Sequence, residues 1–196
     1  MASTDANTPA TVLVVCSANQ CRSPLVAALL DCHAAERGAP IRVTSAGVDA
    51  DGASGATAGT VRVARDLDID LDRHRSRRVT REMIEASDLA LGMERLHVRA
   101  AAVLSPMSFP RVFTLKELVR RGTALGPRRR ETPLGAWLQA AHSGRRAANL
   151  LGASPEDDLE DPTTSRATDH ETLAAEVDQL TRRLVDLAWP SDPPRA

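Results

Sequence analysis

The chain has 196 residues, a formal net charge of −1 and 42% apolar residues. That length fits one domain with at most an appendage, and the near-zero charge excludes a general nucleic-acid binder. Aromatic residues make up only 2%, so the core has to be aliphatic. Lys116 is the single lysine among many arginines, a bias of genome composition rather than of binding. Cys16, Cys21 and Cys32 are the only cysteines, and all lie near the start. An odd, clustered set is no disulfide framework and points to a reducing compartment. Met1 to Ala10 is polar or small, and the apolar run Val12 to Val15 is too short for a signal peptide or a membrane span. The expectation is a cytoplasmic protein without membrane insertion.

In chain order, residues 1–10 read as a flexible lead. Thr11 to Val15 is a β-branched run, the pattern of a buried central strand. Ser23-Pro24 opens a helix, with proline where its missing N–H costs nothing. Leu25, Ala28, Leu29 and Cys32 carry that helix to about Arg37, and Gly38 stops it. Ile41 to Ser45 is a second strand, and Gly52 to Gly59 a loop. A helix is expected over about Thr60 to Leu67, and a short one over Arg81 to Ala86 capped by Thr80. Leu89 to Met93 gives a third strand, Glu94 to Leu104 a helix, and Arg111 to Thr114 a fourth strand.

Gly122 to Ser154 reads as an insertion on the domain, with a helix over Pro133 to Ala148. Thr168 and Glu171 form a capping box for the last helix, whose apolar stripe is Leu173, Val177, Leu180, Leu184 and Leu187. Residues 189–196, rich in proline, read as a flexible tail, leaving 11–188 as the folded domain. The strand–helix alternation implies an α/β fold: a three-layer, doubly wound sandwich around a four-stranded parallel sheet.

Cys16 to Arg22 reads C-S-A-N-Q-C-R, a C-x5-R motif. Alone it is weak in so arginine-rich a chain. Its setting strengthens it, since it begins where a strand ends and ends where a helix begins. Ligands of open α/β sheets bind beyond the carboxyl ends of strands. A helix N-terminus there offers backbone N–H groups and a positive dipole end, which suits phosphate. The same field favours a cysteine thiolate. In this reading Cys16 is the nucleophile and Arg22 the fork for two phosphate oxygens. The cradle is Ser17, Ala18, Asn19, Gln20, Cys21 and Arg22, and no metal or cofactor is required.

The stretch VLVVCSANQCRSP resembles the V-C-x-G-N-x-C-R-S-P signature of the low-molecular-weight protein tyrosine phosphatases. The family's S-A-G segment is resembled by Val43 to Gly47, and its H-x-[AS]-R-x-[LIV]-[ST] stretch by His74 to Thr80. Asp88 to Glu94 is similar to its D-x-[IV]-[LF]-x-M-[DE] stretch, and Asp161-Pro162 to its late D-P. These fall in family order, and the bias and insertion suggest an actinobacterial-like member. The resemblance implies a phosphatase working through a phosphocysteine, with Asp161 protonating the leaving group and then activating water. Asp157, Asp158 and Glu160 are the competing acids. It also implies a supporting network of Asn19, Ser23, Ser45 and His74. The expected partner is a phosphorylated protein, such as a tyrosine kinase or its target.

Ala18 replaces the family's usual glycine, a strained choice if that position needs φ > 0. Gln20 and the pair Thr163-Thr164 stand where tyrosine phosphatases carry apolar and aromatic residues. Phosphotyrosine is therefore the first substrate expectation, with phosphoarginine or a small phosphate ester as the alternative. Three rivals remain. Arsenate reduction needs later cysteines that the chain lacks. A binding module without turnover would not keep Cys16, Arg22 and Asp161 together. A metal site of Cys16, Cys21, Cys32 and His33 matches no common zinc spacing. Histidines His33, His97, His142 and His170 read as structural or solvated. Arg120, Arg121, Arg128, Arg129, Arg130, Arg145 and Arg146 read as a solvated basic face, with docking of an acidic partner as the alternative.

Overall fold

The computed structural model describes residues 8–163 and 169–190. Four strands, β1 (Ala10–Cys16), β2 (Ile41–Gly47), β3 (Leu89–Gly92) and β4 (Val112–Thr114), form one parallel sheet in the order β2-β1-β3-β4. The helices are α1 (Arg22–Glu36), α2 (Ala58–Arg65), α3 (Arg81–Glu85), α4 (Arg95–Leu104), α5 (Leu115–Leu125), α6 (Leu134–His142) and α7 (His170–Ala188). Two 3₁₀ turns, Pro106–Arg111 and Ala147–Leu150, complete the described elements.

β1 is covered on both faces, which is why it reads as an unbroken apolar run. Val12, Val14 and Cys16 face a core shared with α1, α2, α5, α6 and α7. Leu13 and Val15 face a smaller core built by α3, α4 and the 3₁₀ turns. This is the expected three-layer sandwich. The chain leaves β1 for β2 on one side and returns to β3 on the other. The crevice that this reversal opens lies beyond the carboxyl end of β1, where Cys16 sits.

Several boundaries differ from expectation. α2 starts two residues early because Thr57, not a later residue, caps it, accepting from Thr60 N–H at 3.2 Å. α5 was not expected at all; Thr114 caps it by accepting from Glu117 N–H at 3.1 Å. The supposed insertion therefore begins inside a helix. Gly122 is buried there, and a Cβ on it would lie 2.8 Å from the Trp137 ring. Trp137 of α6 docks against α5 and α7 through that notch. α6 ends at His142 rather than near Ala148, and Gly144 at φ 75° turns the chain away.

For α7 the cap is Asp169, which accepts from Thr172 N–H at 2.7 Å. Thr168, the expected cap, lies outside the described residues, as does Thr164. The tail expectation fails at its first residue, since Trp189 is buried in the larger core; residues 191–196 lie outside the described range. Most of the arginines read as a solvated face are committed internally. Arg145 is buried, donates to Glu117 at 2.8 and 3.0 Å, and stacks 4.1 Å from the Phe113 ring centre. Arg120 pairs with Asp157, and Arg128 donates to the Ala188 carbonyl.

Candidate active site

The loop between β1 and α1 wraps around the Cys16 sulfur. Asn19 takes a left-handed φ of 56° and turns its backbone N–H onto Cys16 Sγ at 3.3 Å. Asparagine tolerates that conformation better than most residues. The concern about Ala18 is thereby answered, because the positive φ falls one residue later. Gly47, at the end of β2, lets the loop lie against the sheet. A Cβ there would meet the Ser17 carbonyl oxygen at 2.4 Å, which explains the S-A-G stretch physically. α1 begins at Arg22 with no side-chain cap, so its first amides remain for an anion.

Asn19 holds the loop from beneath. Its amide nitrogen donates to Ser23 Oγ and Ser45 Oγ, both at 2.9 Å, and its side-chain oxygen accepts from Arg77 N–H at 3.0 Å. His74 Nε2 lies 2.6 Å from the Asn19 carbonyl and has to carry the proton there, since a carbonyl only accepts. Ser23 Oγ, already an acceptor from Asn19, lies 2.9 Å from Cys16 Sγ and 3.3 Å from the Ala46 carbonyl. Its one hydrogen can be given either to the sulfur or to that carbonyl, and the sulfur is the nearer acceptor. The structure brings Asn19, Ser23, Ser45 and His74 together around one loop.

Arg22 is 2% exposed, and both ends of its fork are occupied. Nη1 donates to the Leu159 carbonyl at 2.9 Å and to Glu94; Nη2 donates to Asp161 Oδ2 at 2.7 Å. Leu159 is itself pinned just beyond the end of β3 by the Met93 carbonyl, 2.8 Å from Leu159 N. Burial alone would raise the Asp161 carboxyl. The Thr163 hydroxyl and N–H, at 2.6 and 3.0 Å, together with Arg22, outweigh it and hold the group below its ordinary value. The rival acids are engaged elsewhere: Asp157 with Arg95 and Arg120, and Asp158 with the Arg95 and Ser154 amides. Glu160 is exposed. Asp161 is the carboxylate that lines the cleft over Cys16.

The sequence reading gives Glu94 no role of its own and leaves His97 as structural or solvated. Glu94 caps α4 and also grips Arg22. His97, fully buried, accepts from Glu94 N–H at Nδ1 (3.0 Å), which places its proton on Nε2, 3.1 Å from Ser17 Oγ. Burial, with Arg22 nearby, pushes the His97 pKa down to about 3, so the ring is neutral. The reciprocal pattern E-x-x-H at a helix start was the available signal. Cys21, also buried, has its thiol pushed up to about 11 by desolvation, against the bond from Thr60. The cleft walls are Ser17, Ala18, Gln20, Thr57, Asp161 and Thr163, with no aromatic ring among them. The rival grouping of Cys16, Cys21, Cys32 and His33 does not form; Cys32 and His33 lie at the other end of α1.

The arrangement puts a buried thiol, a loop that opens a helix N-terminus and a carboxyl group around one small cleft. A family model, low molecular weight phosphotyrosine protein phosphatase, matches residues 11–125. The chain is 36% identical over 118 residues to a protein-arginine-phosphatase of Bacillus subtilis, covering 59% of this chain and 78% of that one. It is 30% identical over 144 residues to the low molecular weight protein-tyrosine-phosphatase Wzb of Escherichia coli K12, covering 72% and 95%. The crystal structure of a YwlE mutant from Bacillus subtilis superposes with a TM-score of 0.67 at 27% identity, covering 90% of this chain and 97% of that one. The chain is a phosphatase and belongs to the low molecular weight phosphotyrosine protein phosphatase family.

Proposed function

We propose that the protein hydrolyses phosphorylated side chains of proteins, phosphotyrosine first, through a phosphocysteine on Cys16. The observation that carries this reading is the Arg22 fork, which joins the Cys16 loop to Asp161 at 2.7 Å. Phosphate entering the cradle takes over that fork. Asp161 then loses its cation and gains a neighbouring anion, and both changes raise its pKa toward the protonated form an acid needs. The Cys16 thiolate attacks phosphorus in line, the P–O bond to the leaving group breaks, and the Asp161 proton goes to that oxygen. Water then attacks the phosphocysteine, Asp161 takes the water proton, and inorganic phosphate leaves as the sulfur recovers its electron pair. Ser23 O–H, 2.9 Å from the sulfur, stabilises that thiolate.

A second reading, phosphoarginine, is favoured by the cleft wall. Thr57, Gln20 and Thr163 offer hydroxyl and amide groups where a phenyl ring would want an apolar face. The identity to a protein-arginine-phosphatase supports it as well. The three free cysteines support a reducing, cytoplasmic setting, and no described helix is long and apolar enough to cross a membrane. Rates on matched phosphotyrosine, phosphoarginine and phosphoserine peptides decide between the readings. The expected order puts phosphotyrosine first. A phosphoarginine rate at least tenfold higher would transfer the assignment, and no turnover of any of the three would remove it.

A further inference from the structure

At the far end of α1, in its last turn, three donors converge on one point. Cys32 Sγ lies 3.9 Å from Glu36 Oε1, and His33 Nδ1 lies 3.8 Å from Glu36 Oε2. The three ligand atoms all fall within 4.8 Å of one another. The His33 side chain is only 3% exposed, and neither of its ring nitrogens makes a hydrogen bond. A buried, unpartnered imidazole nitrogen is costly unless something else uses it. Its other nitrogen, Nε2, lies 3.0 Å from Asp178 Oδ1 of α7, close enough for the carboxylate's charge to act on the ring though off hydrogen-bond geometry. A carboxylate there favours the tautomer with the proton on Nε2, which leaves the Nδ1 lone pair aimed at Cys32 and Glu36.

We propose that Cys32, His33 and Glu36 form a binding site for a borderline-soft divalent cation, Zn²⁺ by chemistry, with Asp178 orienting the histidine. A thiolate, an imidazole and a carboxylate suit that ion better than Mg²⁺ or Ca²⁺. Tetrahedral zinc with ligand bonds of about 2.0–2.3 Å needs donors about 3.5 Å apart, so closure takes side-chain shifts of about an ångström or less. Water fills the fourth position. The site lies at a helix C-terminus, the end whose dipole attracts cations.

Arg182 occupies part of this field, 3.2 Å from Glu36 Oε2 and 3.2 Å from Asp178 Oδ2. It is half exposed, and exposed ion pairs are weak, so a divalent ion displaces it. Metal bound here is held by α1 alone, at the opposite end of that helix from the phosphate cradle. It takes no part in phosphoryl transfer.

The test is a Co²⁺ titration of the full chain carrying Cys16→Ser and Cys21→Ser, which leaves Cys32 as its only thiol. A thiolate-to-cobalt charge-transfer band should grow to one equivalent and be bleached by Zn²⁺. Asp178→Asn should weaken binding about 10–100-fold, and Arg182→Ala should tighten it. If the double variant fails to fold, the natural chain saturated with inorganic phosphate serves instead. It should bind one Zn²⁺ more than the same chain with Cys32→Ser. A folded double variant with no thiolate band, or equal stoichiometry with and without Cys32, would overturn the proposal.

Discussion

At the residue scale the chemistry rests on which atoms face Cys16 Sγ. Asn19 N–H and Ser23 Oγ both reach it, and Asp161, held by Arg22, lines the same cleft. If Asp161 protonates the leaving oxygen, its loss matters more as that oxygen becomes more basic. Asp161→Asn should slow phosphotyrosine hydrolysis by about 10²- to 10⁴-fold, and slow the first step on a nitrophenyl ester less. Phosphoenzyme formation across substituted phenyl phosphates checks this. An unchanged leaving-group dependence would send the search to Glu160. The motif residues were legible because each has a distinctive type at a fixed spacing. Leu159 was not, because it acts through its carbonyl, which any residue could supply.

At the element scale, the start of α4 is wired into the Cys16 loop. Glu94 caps the helix and holds Arg22, while His97 closes the reciprocal bond and holds Ser17. His97 is neutral when folded, with a pKa of about 3, against about 6.5 when unfolded. Between those values the unfolded chain binds the extra proton, so stability falls as the pH drops through that window. The loss between pH 6.5 and 4.5 should be about 2 kcal/mol. Urea midpoints across that range should fall less steeply in His97→Gln than in the natural chain. Parallel slopes would show that His97 titrates normally.

Sequence reading placed β1 and α1 well, because a β-branched run and a proline at a helix start are local signals. It does not reveal α5, whose interior carries Gly122, a poor helix former at which the insertion reads as starting. That glycine serves a long-range contact with Trp137, which no local pattern reveals.

At the scale of the whole molecule, α5, α6 and α7 extend the larger core on one face of the sheet. Trp137 is 5% exposed and anchors that extension, with Nε1 donating to the Gly126 carbonyl at 3.3 Å. Trp137→Ala should cost about 3–5 kcal/mol of stability, read as a shift in the urea midpoint. It should leave turnover of an aryl phosphate nearly unchanged below the unfolding transition. A large loss of turnover in a chain that remains folded would mean this extension shapes the site. The arginines of the region were unreadable from composition, because an exposed cation and one buried against Glu117 and two phenylalanines look alike in sequence.

The most direct test of the central claim is where the phosphoryl group sits during turnover. Denaturing the protein part-way through hydrolysis of an aryl phosphate and mapping the peptides should find it on Cys16, with turnover abolished in Cys16→Ser. Phosphate on another residue, or substantial hydrolysis by Cys16→Ser, would contradict the account.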